Sequence, residues 1–450
     1  MAVQIVRGEC LCKAAFAAIH RAMDGKPLAP PRTMGLFGAS LLPVNGMIGA
    51  GIFALPATLF LAVGDFAPWM ILLGGLLFLP LTLTFAWLSA RFEHSGGPIL
   101  YGEAAFGRFV GFQAGWARYA SAIVTVAANT HVMVSYLATL FPVLDGPVLR
   151  PLLVAGFIGF ITIVNLFSLR SSVATLSALT AVKLLPLLAL IVAGLFAGDP
   201  RAGLVLPEFT DAESVVLLTY YAFIGFEYVV LPAGEMKNPK RDVPLALVAM
   251  LGAVTLLYML VIWAYIAIDP GVAADSENPL ALAADAAMGP AGAIAIVIAA
   301  AFSIGANNFA GGISLPRMTF GMAERGMLPR WFMAVSPRLD TPVNSILFYG
   351  AASIAFGLWE GFMVLALAGT LTRLLTYLIA AFALPVIEHR EGRIDPVHGF
   401  VSILTVLSTL WVGTHADAQS WQVFGGLVVA GTLLYFVARQ ERPAEPLAPR

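Results

Sequence analysis

Long apolar stretches recur along the whole 450-residue chain, and they constrain its fold more than any other feature. The hydrocarbon core of a bilayer is about 30 Å thick, so a helix that crosses it needs roughly 20 apolar residues. Clusters of charge, Pro and Gly divide the chain into twelve stretches of about that length. We predict one transmembrane helix in each and number them spans 1 to 12. In order, the spans cover residues 35–62, 69–90, 112–140, 148–167, 174–197, 214–235, 243–268, 290–313, 342–358, 362–387, 396–412 and 421–438.

The composition agrees with a membrane protein. Only 11% of the residues are charged and 59% are apolar, whereas soluble domains are about 25% charged and about 45–50% apolar. Soluble multidomain, disordered and collagen-like classes are therefore excluded. Cys10 and Cys12 stand too close in sequence for a structural disulfide. A net charge of −1 disfavours a nucleic-acid partner. Spans 11 and 12 are separated only by the polar run HADAQS, so eleven spans is the alternative count.

Basic residues predict the orientation, because Lys and Arg in short loops stay on the cytoplasmic side. With the N-terminus inside, 21 of the 25 basic residues, Arg118 among them, fall in cytoplasmic segments. Arg150 and Arg201 fall in external loops, and Lys183 and Arg373 fall inside spans. We therefore expect a multi-pass protein of the inner or plasma membrane with both termini in the cytoplasm, including an N-terminal tail over 1–34 and a C-terminal tail over 439–450.

Two spans contain helix breakers at bilayer depth. Span 1 reads GLFGASLLPVNGMIGAGIFALPATLF, with Gly49 and Gly51 near its middle, and span 6 carries Gly225 and the ionisable Glu227. Such breaks are tolerated only where the freed backbone is buried in protein or lines a cavity. A pair of interrupted spans five apart is the trace expected of inverted repeats, with a binding site at their interface.

The chemistry of such a break indicates the ligand. Unwinding 49–51 exposes N–H groups at the start of the following half-helix, which favours a carboxylate. Carbonyls freed on the preceding half-helix suit an ammonium. An α-amino acid carries both charges a few bonds apart. The alternative is that these glycines only form a helix-packing face.

Three ionisable residues are expected deep within the spans, namely Lys183, Glu227 and Arg373. Lys183 is about ten residues into span 5, and an ammonium at that depth is costly unless it is paired or gives up its proton. It is therefore a candidate for proton coupling, with snorkelling to the interface as the alternative. Glu227 is either a second protonatable group or a structural hydrogen-bond acceptor that ties the break to its neighbours. We interpret Arg373 as a buried structural cation outside the site.

Uncharged polar residues at depth complete the candidates. Tyr221 precedes the span 6 break by one turn, where its ring can close over a ligand or only pack. Asn129 lies in span 3 and Ser303 in span 8. Asn307 and Asn308, also in span 8, are either ligand contacts or helix–helix hydrogen bonds.

Four ordered motifs resemble the amino acid–polyamine–organocation superfamily of transporters over most of residues 35–390. They are GAGIFALP, SGGPILYGEAAFGRFVGFQAGW, YYAFIGFEYVVLPAGEMKNPKRDVPLAL and MAERGMLPRWFMAVSPRLDTPVNS. The resemblance implies an all-α membrane fold with a ten-helix, 5+5 inverted-repeat core over 35–390 and discontinuous first and sixth helices. Two peripheral helices would follow over 391–438. It also implies secondary active transport by alternating access.

The resemblance also implies roles for individual residues. Backbone around the two breaks would hold the substrate, Tyr221 would be an occluding gate, and Asn129 would be a side-chain contact. Lys183 would occupy the place of a sodium ion, with Ser303 beside it, and Glu227 would sense protons. Ala50 stands where many relatives have Ser, which removes one hydroxyl contact. The implied backbone residues are Ile48, Gly49, Ala50, Gly51, Phe223 and Gly225.

The leading hypothesis is therefore an amino acid transporter, proton-coupled or an exchanger, with protons and the lipid bilayer as its other partners. A polyamine or organic-cation transporter is the alternative within transport, and a channel or scaffold is the alternative outside it. An enzyme is disfavoured because the six histidines are scattered and neither HExxH nor GxSxG occurs. We expect no cofactor and no metal. The sequence leaves open which amino acid is carried, symport or exchange, import or export, and the oligomeric state.

Overall fold

The computed structural model of the chain describes residues 32, 34–92, 96–167, 173–196, 203–268, 277–336, 339 and 341–441. Most of both predicted tails, Cys10, Cys12 and Arg201 lie outside these residues. All regular elements within the described ranges are helical. Nine helical stretches there are long and apolar enough to cross a membrane, and three shorter apolar helices complete the set. The predicted all-α membrane fold with about twelve spans is confirmed.

The helices follow the predicted spans closely. Spans 11 and 12 form two separate helices, each long and apolar enough to cross a bilayer, which favours twelve over eleven. The helix of span 8 is much longer than predicted, because Gly289 (φ 70°) joins it to a preceding helix and its other end extends to Glu324. In chain order the spans are Leu36–Met47 with Gly51–Val63, Ala67–Arg91, Arg108–Leu140, Leu149–Leu166, Val173–Phe196, Val216–Phe223 with Phe226–Val230, Pro239–Ile268, Pro279–Glu324, Val343–Trp359, Phe362–Arg390, Pro396–Thr414 and Ala418–Gln440.

Short helices connect several spans. Two are α-helical, Pro98–Phe106 between spans 2 and 3 and Phe209–Ser214 before span 6. The others are 3-10 turns, namely Gly64–Phe66, Pro142–Asp145, Ala233–Glu235 and Arg330–Met333.

Both predicted interruptions are present. Span 1 stops at Met47 and restarts at Gly51. Span 6 stops at Phe223, passes through Gly225 with φ 109°, and continues as the 3-10 turn Phe226–Val230. Only glycine adopts such a positive φ readily, so the residue type itself ends the helix at this point.

The packing follows a twofold pattern. Span 2 packs on span 7, span 3 on span 8 and span 4 on span 9. Span 5 packs on spans 7 and 8 in the way that span 10 packs on spans 2 and 3. The first half of span 1 contacts the second half of span 6, and the second half of span 1 contacts the first half of span 6. Exchanging span n for span n+5 preserves these pairs, as a 5+5 inverted repeat requires.

The remaining two spans lie at the periphery. Span 11 packs on spans 2 and 10, and span 12 packs on spans 3 and 10. Spans 3 and 10 are the most buried of the long helices, whereas spans 4 and 12 are the least buried and carry many exposed apolar side chains. Exposed apolar surface of this extent requires lipid around it.

Candidate functional site

The two interruptions meet at one point, where the backbone of Gly46 touches the backbone of Gly225. A Cβ added at Gly46 would lie 2.9 Å from the carbonyl carbon of Gly225, and one added at Gly225 would lie 2.5 Å from that of Gly46. Gly51 similarly approaches Ala222, whose Cα would lie 3.2 Å from an added Cβ. The breaks are therefore held together by close backbone contact that a side chain would prevent.

A small cavity of about 20 Å³ lies beside this crossing, which is room for a water molecule but not for an amino acid. Of the predicted substrate residues, Gly49, Ala50, Gly51, Asn129 and Tyr221 line it. Ile48, Phe223 and Gly225 do not, although their neighbours Met47 and Ile224 do. The other lining residues are Gly46, Ala122, Thr125, Val126, Tyr228, Asn307, Gly311, Tyr349 and Arg373.

The start of the second half of span 1 presents backbone donors to this cavity. The first hydrogen bonds into this half-helix come from the N–H groups of Phe53 and Ala54, which donate to the carbonyl of Ala50. The N–H groups of Gly51 and Ile52 precede them, in the turn of a helix whose donors have no partner within the helix. Such a helix start favours an anion.

The carbonyls freed by the same break are occupied by side chains. Ile48 O accepts hydrogen bonds from Lys183 Nζ at 3.1 Å and from Ser303 Oγ at 2.7 Å. Met47 O accepts one from Tyr258 OH at 2.8 Å. The structure therefore brings Lys183 and Ser303 together on one carbonyl of the break, and Lys183 is fully buried. Within the described ranges no carboxylate lies within ion-pair distance of Lys183.

Asparagines join the break to spans 3 and 8. Asn307 Nδ2 donates to Asn45 O at 3.0 Å and to Gly46 O at 2.8 Å. Asn129 Nδ2 donates to Asn308 Oδ1 at 3.0 Å, and Tyr221 OH donates to Asn129 Oδ1 at 2.5 Å. Asn307 makes the helix–helix hydrogen bonds and also lines the cavity, and its contact with a ligand stays a prediction.

Two aromatic residues near the span 6 break differ in position. The Tyr221 ring lies on the cavity wall and packs edge-on against Phe362, with 5.7 Å between ring centroids. The ring of Phe223 packs instead against Phe78 and Tyr258. Any contribution of Phe223 to a ligand would therefore come from its backbone.

Glu227 lies between two arginines, which corrects two interpretations from the sequence. Its Oε1 is 3.0 Å from Arg118 Nε and accepts a hydrogen bond from Arg373 Nη1. Its Oε2 accepts from the N–H of Gly225 at 3.2 Å, and Tyr377 OH is 3.4 Å away. Assigning Arg118 to a cytoplasmic segment was wrong, because it is buried within span 3. Placing Arg373 outside the site was also wrong, because it lines the cavity.

The sequence missed this cluster for a physical reason. Each arginine could be recognised only by its distance from the ends of an apolar stretch, and Arg118 lies close enough to the start of span 3 to be assigned to a loop. The one local signal was Glu227 itself, since a buried glutamate requires a buried cation near it. Of the two alternatives for Glu227, the geometry matches a structural acceptor that ties the break to spans 3 and 10.

Comparison with known proteins identifies the family. The sequence pattern that describes the amino acid permease family matches residues 34–435. The chain belongs to the amino acid permease family. This confirms the resemblance drawn from the four motifs, and the protein is a membrane transporter and not an enzyme.

Individual relatives of this permease are distant but matched over most of their length. The serine/threonine exchanger SteT of Bacillus subtilis is 28% identical over 406 residues, which cover 85% of this chain and 90% of SteT. The uncharacterized transporter Rv1979c of Mycobacterium tuberculosis is 28% identical over 383 residues, 78% of this chain and 79% of the relative. The uncharacterized transporter Mb2022c of Mycobacterium bovis is 28% identical over 424 residues, 92% and 94% of the two chains.

Proposed function

We propose that this permease moves amino acids across the cell membrane as a secondary active transporter that works by alternating access. The observation that carries the proposal is the meeting of two interrupted spans at a cavity onto which the start of a half-helix opens. Interrupted helices of this kind form the substrate sites of inverted-repeat transporters. The relative SteT is a serine/threonine exchanger, which supports the same substrate class.

The backbone around the breaks would bind the groups that all amino acids share. The N–H groups of Gly51 and Ile52, at the start of the second half of span 1, would hold the substrate carboxylate, because the N–H of Gly49 already donates to Met47 O at 2.8 Å. The carbonyls of Asn45, Gly46 and Ile48 already accept hydrogen bonds from side chains. The ammonium would therefore be bound mainly by the carbonyls of span 6, such as that of Phe223.

The small cavity implies that the substrate enters only when helices separate. Tyr221 is bonded to Asn129 across the cavity, and its ring would close the site on one side. We propose that rupture of this hydrogen bond accompanies opening. Alternating access requires a cavity that closes around its ligand and opens to one side of the membrane at a time.

Energy coupling would reside at Lys183. Its ammonium donates to Ile48 O beside Ser303, so its charge state affects how firmly the span 1 break is held. Glu227 is a weaker candidate for proton exchange, because protonating it would leave two guanidinium groups unpaired.

A polyamine or other organic cation fits the cavity less well. The charged side chain on its wall is that of Arg373, which repels a cation. A channel is disfavoured for a different reason, since the cavity at the crossing of the two breaks holds only about 20 Å³.

Uptake into proteoliposomes tests the proposal. The purified permease would be reconstituted and assayed with a panel of radiolabelled amino acids, with and without an inward proton gradient, and with unlabelled amino acid inside to detect exchange. We expect uptake or exchange of at least one amino acid. A permease that folds but neither takes up nor exchanges any amino acid would contradict the proposal.

A lysine substitution tests the coupling. Lys183→Ala should abolish accumulation driven by the proton gradient while exchange remains measurable, and the exposed-lysine variant Lys237→Ala should behave like the wild type. Unchanged accumulation by Lys183→Ala would remove Lys183 from the mechanism.

A further inference from the structure

Three charged side chains are enclosed in the protein beside the cavity, and their charges do not cancel. Arg118 and Arg373 are each 1% exposed and Glu227 is fully buried. Both arginines contact the same oxygen, Glu227 Oε1. Among the described residues no other carboxylate lies within ion-pair distance of either arginine. The cluster therefore holds one more positive charge than negative charge.

The hydrogen bonds of the cluster are also incomplete. The Nε, Nη1 and Nη2 atoms of Arg118 are buried and have no hydrogen-bond partner in the described part of the chain. Its Nε lies 3.0 Å from Glu227 Oε1, which makes an ion pair without the geometry of a hydrogen bond. The Arg118 guanidinium lies 4.9 Å from the ring centroid of Tyr228, which offsets only part of the cost of burying a charge. A buried cation with unused donors is expensive unless an anion completes it.

The surplus charge is accessible from the substrate site. Arg373 belongs to the wall of the same cavity that Gly49 and Gly51 line, together with Tyr228 and Tyr349. A ligand held by its carboxylate at the start of the second half of span 1 would share this cavity with Arg373, whose Nε donates to Ser121 Oγ at 2.9 Å. The cavity therefore offers a guanidinium to the rest of the ligand.

We propose that the transported substrate is an acidic amino acid, with a second carboxylate on its side chain that Arg373 binds. This inference rests on the proposed function and adds the substrate class to it. The side-chain carboxylate supplies the missing negative charge, and Glu227 then pairs fully with Arg118. Because Glu227 also accepts the N–H of Gly225, binding at Arg373 changes the contacts that hold the span 6 break.

Pairs of amino acids that differ only in charge test this proposal. In proteoliposomes, unlabelled glutamate, glutamine, aspartate and asparagine would compete with radiolabelled glutamate for uptake and exchange. We expect glutamate and aspartate to compete at concentrations about tenfold or more below those of their amides, the scale of a hydrogen bond between charged groups. Glutamate should also raise the melting temperature of the purified permease, and glutamine should not.

Arginine variants locate the effect. Arg373→Gln should remove the preference for glutamate over glutamine, and Arg373→Lys should keep part of it. Arg373→Gln leaves a one-to-one pair of Glu227 and Arg118, so we expect it to fold with an undiminished melting temperature. The exposed arginine of span 8 provides the matched control, and Arg317→Gln should keep the full preference.

The results separate this inference from the proposed function. Transport of neutral amino acids as good as, or better than, that of glutamate would overturn the acidic substrate and leave amino acid transport intact. Failure to transport any amino acid would overturn both. Transport assays in which gluconate replaces chloride provide a further comparison. Neutral transport that requires chloride would show that an inorganic anion balances the cluster, and that result would also overturn the proposal.

Discussion

Substituting the glycine at the span 6 break provides a quantitative test of the crossing. In Gly225→Ala the new Cβ would lie 2.5 Å from the carbonyl carbon of Gly46, and the backbone would have to keep a φ of 109°. Such backbone conformations cost a residue other than glycine about 1–3 kcal/mol. Overpacking adds about 1–3 kcal/mol. Together they predict a loss of roughly 2–6 kcal/mol in the free energy of unfolding.

The loss can be measured as a melting temperature in detergent. An unfolding entropy of about 2.1 cal/mol/K per residue means that about 1 kcal/mol shifts the melting temperature of a 450-residue chain by about 1 °C. Gly225→Ala should therefore melt about 2–6 °C below the wild type. Its exchange of amino acids should also slow, because the two breaks are forced apart.

Gly252→Ala is the matched control. Gly252 lies in the helix of span 7, and an added Cβ there meets no atom within 4 Å. Replacing a helical glycine of this kind by alanine stabilises by about 0.5–1 kcal/mol, so its melting temperature should stay the same or rise slightly. Equal melting temperatures for Gly225→Ala and Gly252→Ala would refute the close crossing of the two breaks.

Three further substitutions have defined outcomes. Glu227→Gln should lower the free energy of unfolding by about 3–5 kcal/mol, seen as a lower melting temperature, and replacing one of its two arginines by glutamine as well should recover much of it. Tyr221→Phe leaves Asn129 Oδ1 without its donor and should lower the free energy of unfolding by about 1 kcal/mol. A faster release of bound substrate in exchange assays would show that this hydrogen bond closes the site. Gly431→Ala would place a Cβ 2.6 Å from Cγ of Trp116. It should lower the melting temperature by detaching span 12, while exchange persists. Loss of exchange in a folded variant would place span 12 within the transport core.

The features that could be predicted from sequence are those with a local signature. Apolar length predicted the spans, and Gly49, Gly51 and Gly225 predicted the two breaks, because these glycines interrupt two spans that stand five apart. Lys183 was also found locally, as a charge far from either end of its span. Its contact with Ile48 O is consistent with that prediction, while its role in coupling stays a proposal.

The charge cluster and the asparagine network could not be predicted in the same way. Arg118, Glu227 and Arg373 belong to three different spans, and their proximity depends on how spans 3, 6 and 10 cross. Asn307 likewise donates to two backbone carbonyls of span 1 that are more than 250 residues away in sequence. Contacts of this kind are set by helix packing, for which a single sequence carries no periodic signal.

The contact between Gly46 and Gly225 has a kinetic consequence. The two backbones touch without intervening side chains, so neither interrupted span can shift towards the other. A displacement of one span is therefore transmitted to the other through this contact. Spectroscopic labels placed on the first half of span 1 and on the second half of span 6 should therefore report one common rate constant for opening. Two separable rates would mean that the halves move independently.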